Sequence, residues 1–215
     1  MVVETRGRWL IVTFDEPCAV LSWAIVNGGW QQTRQIAWLY LEANEIAGVE
    51  EPADWLRSQM HAAGLAGAVG LMTSRRQHAY VEAEASDGDC VARSVATMGF
   101  SNALRVGDPS GPWQPATINL LVHLSTPLTT EAALETLNLL TEAKTLATLE
   151  QGIASKRSGE PATGTGTDYM VLAWPLAGPR QAYGGKHTAV GAAAGKAALA
   201  AMRAGIPDWK AEQHV

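Results

Sequence analysis

The sequence predicts an α+β fold: a single domain with a mixed, largely antiparallel sheet of about eight strands covered by about three helices. Three observations predict it. Short runs rich in aliphatic, β-branched and aromatic residues recur between Gly, Pro, Asn and Asp breakers, as strands do. Only three stretches carry helical spacing with start and stop signals. Those three are bunched in two places instead of alternating with the strands, so the regular βαβα order of a doubly wound sheet is absent. With 215 residues, 47% of them hydrophobic and 17% charged, the chain can bury a core without disulfides or a structural metal.

Residues 8–14 (RWLIVTF), 18–26 (CAVLSWAIV) and 34–42 (RQIAWLYLE) read as three consecutive strands, a β-meander broken at Asp15-Glu16-Pro17 and at Asn27-Gly28-Gly29. Glu51-Pro52-Ala53-Asp54 opens a short helix to about Ala63, with Pro near its start and Gly64 at its end. Segments 67–73, 78–85, 90–98 and 117–125 are again strand-like, and the alternation Tyr80-Val81-Glu82-Ala83-Glu84 suits a half-exposed antiparallel strand. A long helix is predicted from about Glu131 to Gln151, with Thr130 as N-cap and Gly152 as terminator. Residues 168–174 (DYMVLAW) form the last strand, 188–204 an Ala-rich helix, and 207–215 a tail.

Composition narrows the partners. The net charge is −5, and no Lys/Arg cluster exceeds Arg75-Arg76, which argues against nucleic acid or an anionic membrane surface as the main partner. No apolar run approaches a membrane span, and Met1 to Arg6 lacks the pattern of a secretory signal, so a soluble cytoplasmic protein acting on a small molecule is expected. Cys18 and Cys90 stand alone, outside any metal-binding or disulfide pattern, and are expected as buried free thiols. Eight Trp stand against two Phe. Trp9, Trp23 and Trp38 fall in predicted strands, whereas Trp30 and Trp113 lie in turns and offer flat faces to a planar ligand.

Two glycine-rich segments concentrate chemistry. Thr163-Gly164-Thr165-Gly166-Thr167-Asp168 and Gly184-Gly185-Lys186-His187-Thr188 combine adaptable backbone with hydroxyls, a carboxylate, an ammonium and an imidazole. The first precedes a strand and not a helix, so it is neither a Walker loop nor a dinucleotide fingerprint. In the second, Thr188 sits near the N-cap of the last helix, whose N-terminus favours a neutral His187 able to act as a base. On the long helix, Glu135, Asn138, Glu142 and Thr145 share a polar face. Lys144 is flanked on its own face by Leu137, Leu140 and Thr148, so its stem lies over apolar surface and its ammonium either reaches a site edge or snorkels. Asn27-Gly28-Gly29 is a hairpin turn, or else its amide and freed backbone N–H groups are oxyanion donors. The remaining histidines, His61, His78, His123 and His214, read as structural or as part of the tail.

Taken together, S-W-A-I-V-N-G-G at 22–29, G-L-M-T at 70–73, T-I-N-L at 117–120, T-E-A-K-T at 141–145, T-G-T-G-T-D at 163–168 and G-G-K-H-T at 184–188 resemble the adenosylcobinamide amidohydrolase family of corrinoid-salvage enzymes. The resemblance spans roughly residues 18–200 and leaves out Pro207 to Val215; Trp23 stands where a small residue is expected. It implies hydrolysis of the amide between a corrin propionate side chain and aminopropanol, giving adenosylcobyric acid. It also implies no resident cofactor or metal, the cobalt corrinoid being the substrate. Under that reading His187 is the acid–base group, oriented by Asp168, with Glu142 as the alternative base. Asn27 donates to the oxyanion, and Lys186 or Lys144 stabilises charge. Gly28, Gly29, Thr73, Lys144, Thr163, Gly164, Thr165, Gly166 and Thr167 bind substrate. The nucleophile is water, a hydroxyl of Ser22, Thr165 or Thr167, or an N-terminal Thr made by self-cleavage. A corrinoid-binding protein without turnover and, last, a nucleotide-phosphate enzyme are the competing classes.

Overall fold

The structure, a computed structural model, describes residues 1–112 and 116–212. Its main sheet has eight strands: β1 (Val2–Arg6), β2 (Trp9–Ser22), β3 (Gly29–Tyr40), β4 (Val69–Thr73), β5 (Val81–Asp87), β6 (Cys90–Met98), β8 (Ile118–Leu124) and β10 (Tyr169–Pro175). They run in the order β4-β3-β2-β10-β8-β6-β5, with β1 also on β2. A separate two-stranded ribbon pairs β7 (Ala103–Leu104) with β9 (Gly164–Thr165). The helices are α1 (Pro52–Ala62), α2 (Thr130–Glu150) and α3 (Ala189–Glu212). The sheet is mixed as expected: β3 with β4 and β8 with β10 are parallel, and the other neighbours are antiparallel.

The two strands expected at 8–14 and 18–26 are one strand, β2. Its register against β3 slips between Thr13 and Cys18, so Asp15-Glu16-Pro17 forms a bulge and not a turn, a place where proline's missing N–H costs no ladder bond. The bulge changes the neighbour on β2's other edge, from β1 opposite residues 9–13 to β10 opposite residues 18–22.

That bend folds the sheet into two arms that face each other. Leu10, Val12 and Phe14 of β2, Ile36 and Trp38 of β3 and Leu71 of β4 share one buried cluster with Val95 of β6, Leu121 of β8 and Val171 and Ala173 of β10. Alternate residues point outward from each arm. Trp9, Ile11, Ala37 and Leu39 pack under Leu56 and Met60 of α1, and Ile118, Leu120, Val122, Met170 and Leu172 pack under α2 and α3. The layers are therefore helix, arm, arm, helix pair. Asn119 of β8 ties the arms together through its amide, which donates to the Met72 carbonyl of β4 at 2.9 Å.

Two helix boundaries differ from expectation. Thr129, not Thr130, caps α2, its hydroxyl accepting from the Ala132 N–H at 3.3 Å. The expected tail from residue 207 is helical as far as Glu212, because Trp209 packs edge-on against Phe100 and the Lys210 ammonium donates to the Gln151 carbonyl. Residues 213–215, which include His214, and Trp113 lie outside the described residues. Among the described residues no helix is long and apolar enough to cross a membrane.

Candidate active site

The open end between the arms holds a cavity of about 490 Å³. Ile25, Leu41, Ile46, Val49, Pro52 and Met72 give it apolar walls, and its lining also includes the hydroxyl-bearing residues Thr73, Ser74, Thr117, Thr167 and Tyr169. Burial pushes the Tyr169 phenol above its ordinary range. A mostly apolar cleft with a few placed polar groups is the usual form of a small-molecule site. Four of the expected segments meet here: residue 25 of the SWAIVNGG stretch, residues 72–73 of GLMT, Thr117 of TINL and Thr167 of TGTGTD.

Thr167 and Tyr169 face the cavity, and Asp168 between them turns the other way, toward α2. Its Oδ2 accepts from the Lys144 Nζ at 2.8 Å, and its Oδ1 accepts from the Thr165 hydroxyl at 2.5 Å. The Thr165 backbone N–H donates to both carboxylate oxygens at 3.1 Å. Lys144 also donates to the Thr163 carbonyl at 2.8 Å, which the Thr145 hydroxyl meets from the same helix at 3.2 Å. The ion pair is almost enclosed, with 8% of the Lys144 side chain and 12% of that of Asp168 exposed. A buried pair of this kind needs further hydrogen bonds beyond its own contact, and here the carboxylate takes Thr165 on both oxygens while the ammonium also reaches the Thr163 carbonyl. Gly164 makes the enclosure feasible: a Cβ there would overlap both the Asp168 carboxylate and the Lys144 ammonium.

The expected pairing of Asp168 with His187 is not formed. His187 is exposed and makes no side-chain hydrogen bond or ion pair among the described residues, since Lys144 and Thr165 occupy the Asp168 carboxylate. Gly184 is instead a packing residue, pressed so closely on α2 that a Cβ would overlap the Ala132 carbonyl and the Thr136 hydroxyl. Its N–H donates to Glu135 at 2.7 Å. Thr188 caps α3 as expected, accepting from the Gly191 N–H at 3.0 Å. Lys186 pairs with Glu142 at 2.6 Å, with 71% and 46% of the two side chains exposed. That leaves Glu142 on the solvated face of α2 and away from the Asp168 centre.

Asn27 stands in the turn, with its amide nitrogen engaged there. Its φ is 54°, and its amide nitrogen donates to the Ala66 and Ala68 carbonyls at 3.1 and 2.7 Å. Val26 meanwhile exchanges backbone hydrogen bonds with Gly70. Gly28 and Gly29 shape this turn without lining the cavity described above.

One contact was not anticipated from sequence. Trp23 leaves the strand, is 45% exposed and donates its indole N–H to the Asp168 carbonyl at 2.6 Å, which locks the SWAIVNGG stretch to the TGTGTD loop. The only signal for it was that Trp23 stands where a smaller residue was expected. Trp30 is 47% exposed, but it stands in β3 opposite Leu21 and not in a turn, and its ring meets that of Trp174 in a T-shaped contact. Both cysteines are buried and free, and burial raises the Cys18 thiol to about 11.

A family model described as adenosylcobinamide amidohydrolase matches residues 2–214. The chain belongs to that family. Adenosylcobinamide amidohydrolases are thus the frame for the cavity and for the Lys144–Asp168 centre, and the match extends past the 18–200 range over which motifs were visible. No protein in the curated set matches the chain significantly. Among solved structures, the PH0078 protein from Pyrococcus horikoshii OT3 is distantly similar, with 12% identity over 94% of this chain and 81% of its own and a TM-score of 0.44.

Proposed function

We propose that this protein hydrolyses the amide joining the corrin propionate side chain to aminopropanol in adenosylcobinamide or a related cobamide, releasing adenosylcobyric acid for salvage. The observation that carries the reading is the enclosed Lys144–Asp168–Thr165 constellation, set directly behind the cavity residues Thr167 and Tyr169. An unactivated amide needs an acid–base group to deliver and recover protons and a fixed charge to hold that group in place. Asp168 supplies the first and Lys144 the second. Thr73, Thr167 and the backbone of residues 163–167 hold the substrate's side chain in the cavity, and the corrin macrocycle, far larger than the cavity, remains at its rim beside Trp23. The cobalt arrives inside the substrate, so no resident cofactor is required.

The test is direct incubation of the purified protein with adenosylcobinamide, followed by mass spectrometry. Adenosylcobyric acid and free aminopropanol are the expected products. Tight binding with the amide intact after long incubation would instead identify a corrinoid-binding protein.

A further inference from the structure

We propose that Thr165 is the nucleophile and that the reaction passes through an ester between its Oγ1 and the substrate's acyl group. The proposal rests on the amide-hydrolysis reading above and adds to it the identity of the attacking atom.

The hydroxyls near the loop differ in what they bond. The Thr163 hydroxyl accepts from the Val106 N–H at 2.9 Å, and the Thr145 hydroxyl donates to the Thr163 carbonyl. The Thr167 hydroxyl donates to the Ala116 carbonyl at 2.9 Å, and the Thr117 hydroxyl to the Thr167 carbonyl. The Thr73 hydroxyl accepts from the Arg75 N–H, and Ser22, 4% exposed, accepts from the Ala24 N–H. A backbone carbonyl cannot take a proton at neutral pH, so a hydroxyl that donates to one is held and not activated. Thr165 differs: among these hydroxyls it alone donates to a carboxylate, Asp168 Oδ1 at 2.5 Å, and that carboxylate is fixed from behind by Lys144 at 2.8 Å. Nucleophile, base and orienting group then stand in sequence at hydrogen-bond distance, the general signature of an activated hydroxyl. Thr165 is half-buried, and its Oγ1 accepts from the backbone N–H of Thr167, a residue that lines the cavity, at 3.4 Å.

The steps balance. Thr165 Oγ1 attacks the amide carbon as its proton passes to Asp168. The tetrahedral intermediate collapses with cleavage of the C–N bond while Asp168 returns the proton to the departing amine nitrogen, leaving aminopropanol and an ester on Thr165. Water then attacks the ester carbon and gives a proton to Asp168. The C–Oγ1 bond breaks, the proton returns to Thr165, and the carboxylic acid leaves.

Acid-quenched turnover of adenosylcobinamide by the wild-type protein, read by peptide mass spectrometry, should place the cobyric acyl group on the peptide containing Thr165. Added hydroxylamine should divert part of the product to the hydroxamate at a constant ratio. Thr165→Ala should lower kcat about 10³-fold or more with its circular dichroism unchanged, and Thr165→Ser should recover to within about tenfold of wild type. A wild-type protein that turns over without ester or hydroxamate, or a Thr165→Ala variant that keeps more than about a tenth of wild-type kcat, would overturn the nucleophile assignment and leave the proposed function standing. No turnover by wild type would overturn both.

Discussion

Helix α2 carries two lysine–carboxylate pairs from residues two apart, hence on nearly opposite sides of the helix. Lys144 holds Asp168 at 2.8 Å, and Glu142 holds Lys186 at 2.6 Å. The shorter pair is the weaker one. Its side chains are 71% and 46% exposed, so water and salt screen it, whereas the Lys144–Asp168 pair is about nine-tenths enclosed. Both glycine-rich segments dock on this helix through such a pair, and they look alike in composition. Burial separates them: one is a preorganised charged centre beside a cavity, the other a solvated seam where a loop enters α3.

Breaking the enclosed pair should produce the largest effect. Lys144→Ala leaves the Asp168 carboxylate in a low-dielectric pocket without its cation, so chemical denaturation should show a loss of about 3 kcal/mol or more, with little activity remaining. Gly164→Ala should do comparable damage by steric overlap with both partners. The double replacement Lys144→Met with Asp168→Leu sharpens the point. Removing both charges should recover most of the stability, since apolar substitutes for a buried pair are often neutral, while hydrolysis stays lost. Recovery of activity along with stability would make the pair merely structural.

Burial also governs a histidine on β8, far from either pair in sequence. His123 is stacked on Phe14 with ring centroids 5.0 Å apart, and its Nε2 is 3.7 Å from the Cys18 sulfur. Burial first, then the N-terminal ammonium and Arg93, lowers it from 6.5 to about 4. A depressed histidine binds its proton more readily in the unfolded chain, so stability should fall as pH drops below 6.5 and keep falling until about 4. Between pH 7 and pH 5 the loss should be about 2 kcal/mol in urea titrations. His123→Phe should flatten that slope.

Much of the fold was legible because strands and helices here obey their own periodicities. Alternation in 81–87 and the apolar runs at 90–98, 118–124 and 169–175 mark strands directly. Failures came where a local breaker signal met a tertiary accommodation. Asp15-Glu16-Pro17 looked like a turn and is a bulge. Pro207 looked like a helix end, and α3 runs through it because Trp209 has Phe100 to pack on. Strand β1 is mostly exposed and has no apolar alternation to announce it. At the site, composition revealed TGTGTD and Lys144, but pairing could not follow from composition: Asp168 has the His187 imidazole nearer in sequence, while the ammonium that reaches it in space belongs to the more distant Lys144. The cavity walls, Leu41, Ile46 and Met72 among them, are indistinguishable in sequence from core.

A third glycine-rich stretch gives a test of intermediate size. Asn27 holds a left-handed turn and donates to two carbonyls of the segment leading into β4. Asn27→Asp removes those donors and turns a carboxylate toward both oxygens, so a stability loss of about 1–3 kcal/mol is expected. The folded fraction should keep kcat within about twofold. A large kcat loss with the melting curve unmoved would restore Asn27 to the oxyanion role.

The smallest effect should come from the exposed pair, and its smallness is the informative result. Lys186→Ala removes a cation whose attraction to Glu142 is screened by water and whose side chain loses conformational freedom by forming the pair, two terms that nearly cancel at a surface. Stability should change by less than about 0.5 kcal/mol, and kcat should stay within about threefold of wild type. Raising the salt toward 1 M, where screening acts over about 3 Å, should abolish even that difference, while the Lys144→Ala deficit persists because ions do not enter the pocket. If Lys186→Ala or His187→Ala matched the kinetic loss of Lys144→Ala, the seam between α2 and α3 would have to close over the substrate during turnover, and the division between the two glycine-rich segments would be one of conformation and not of role.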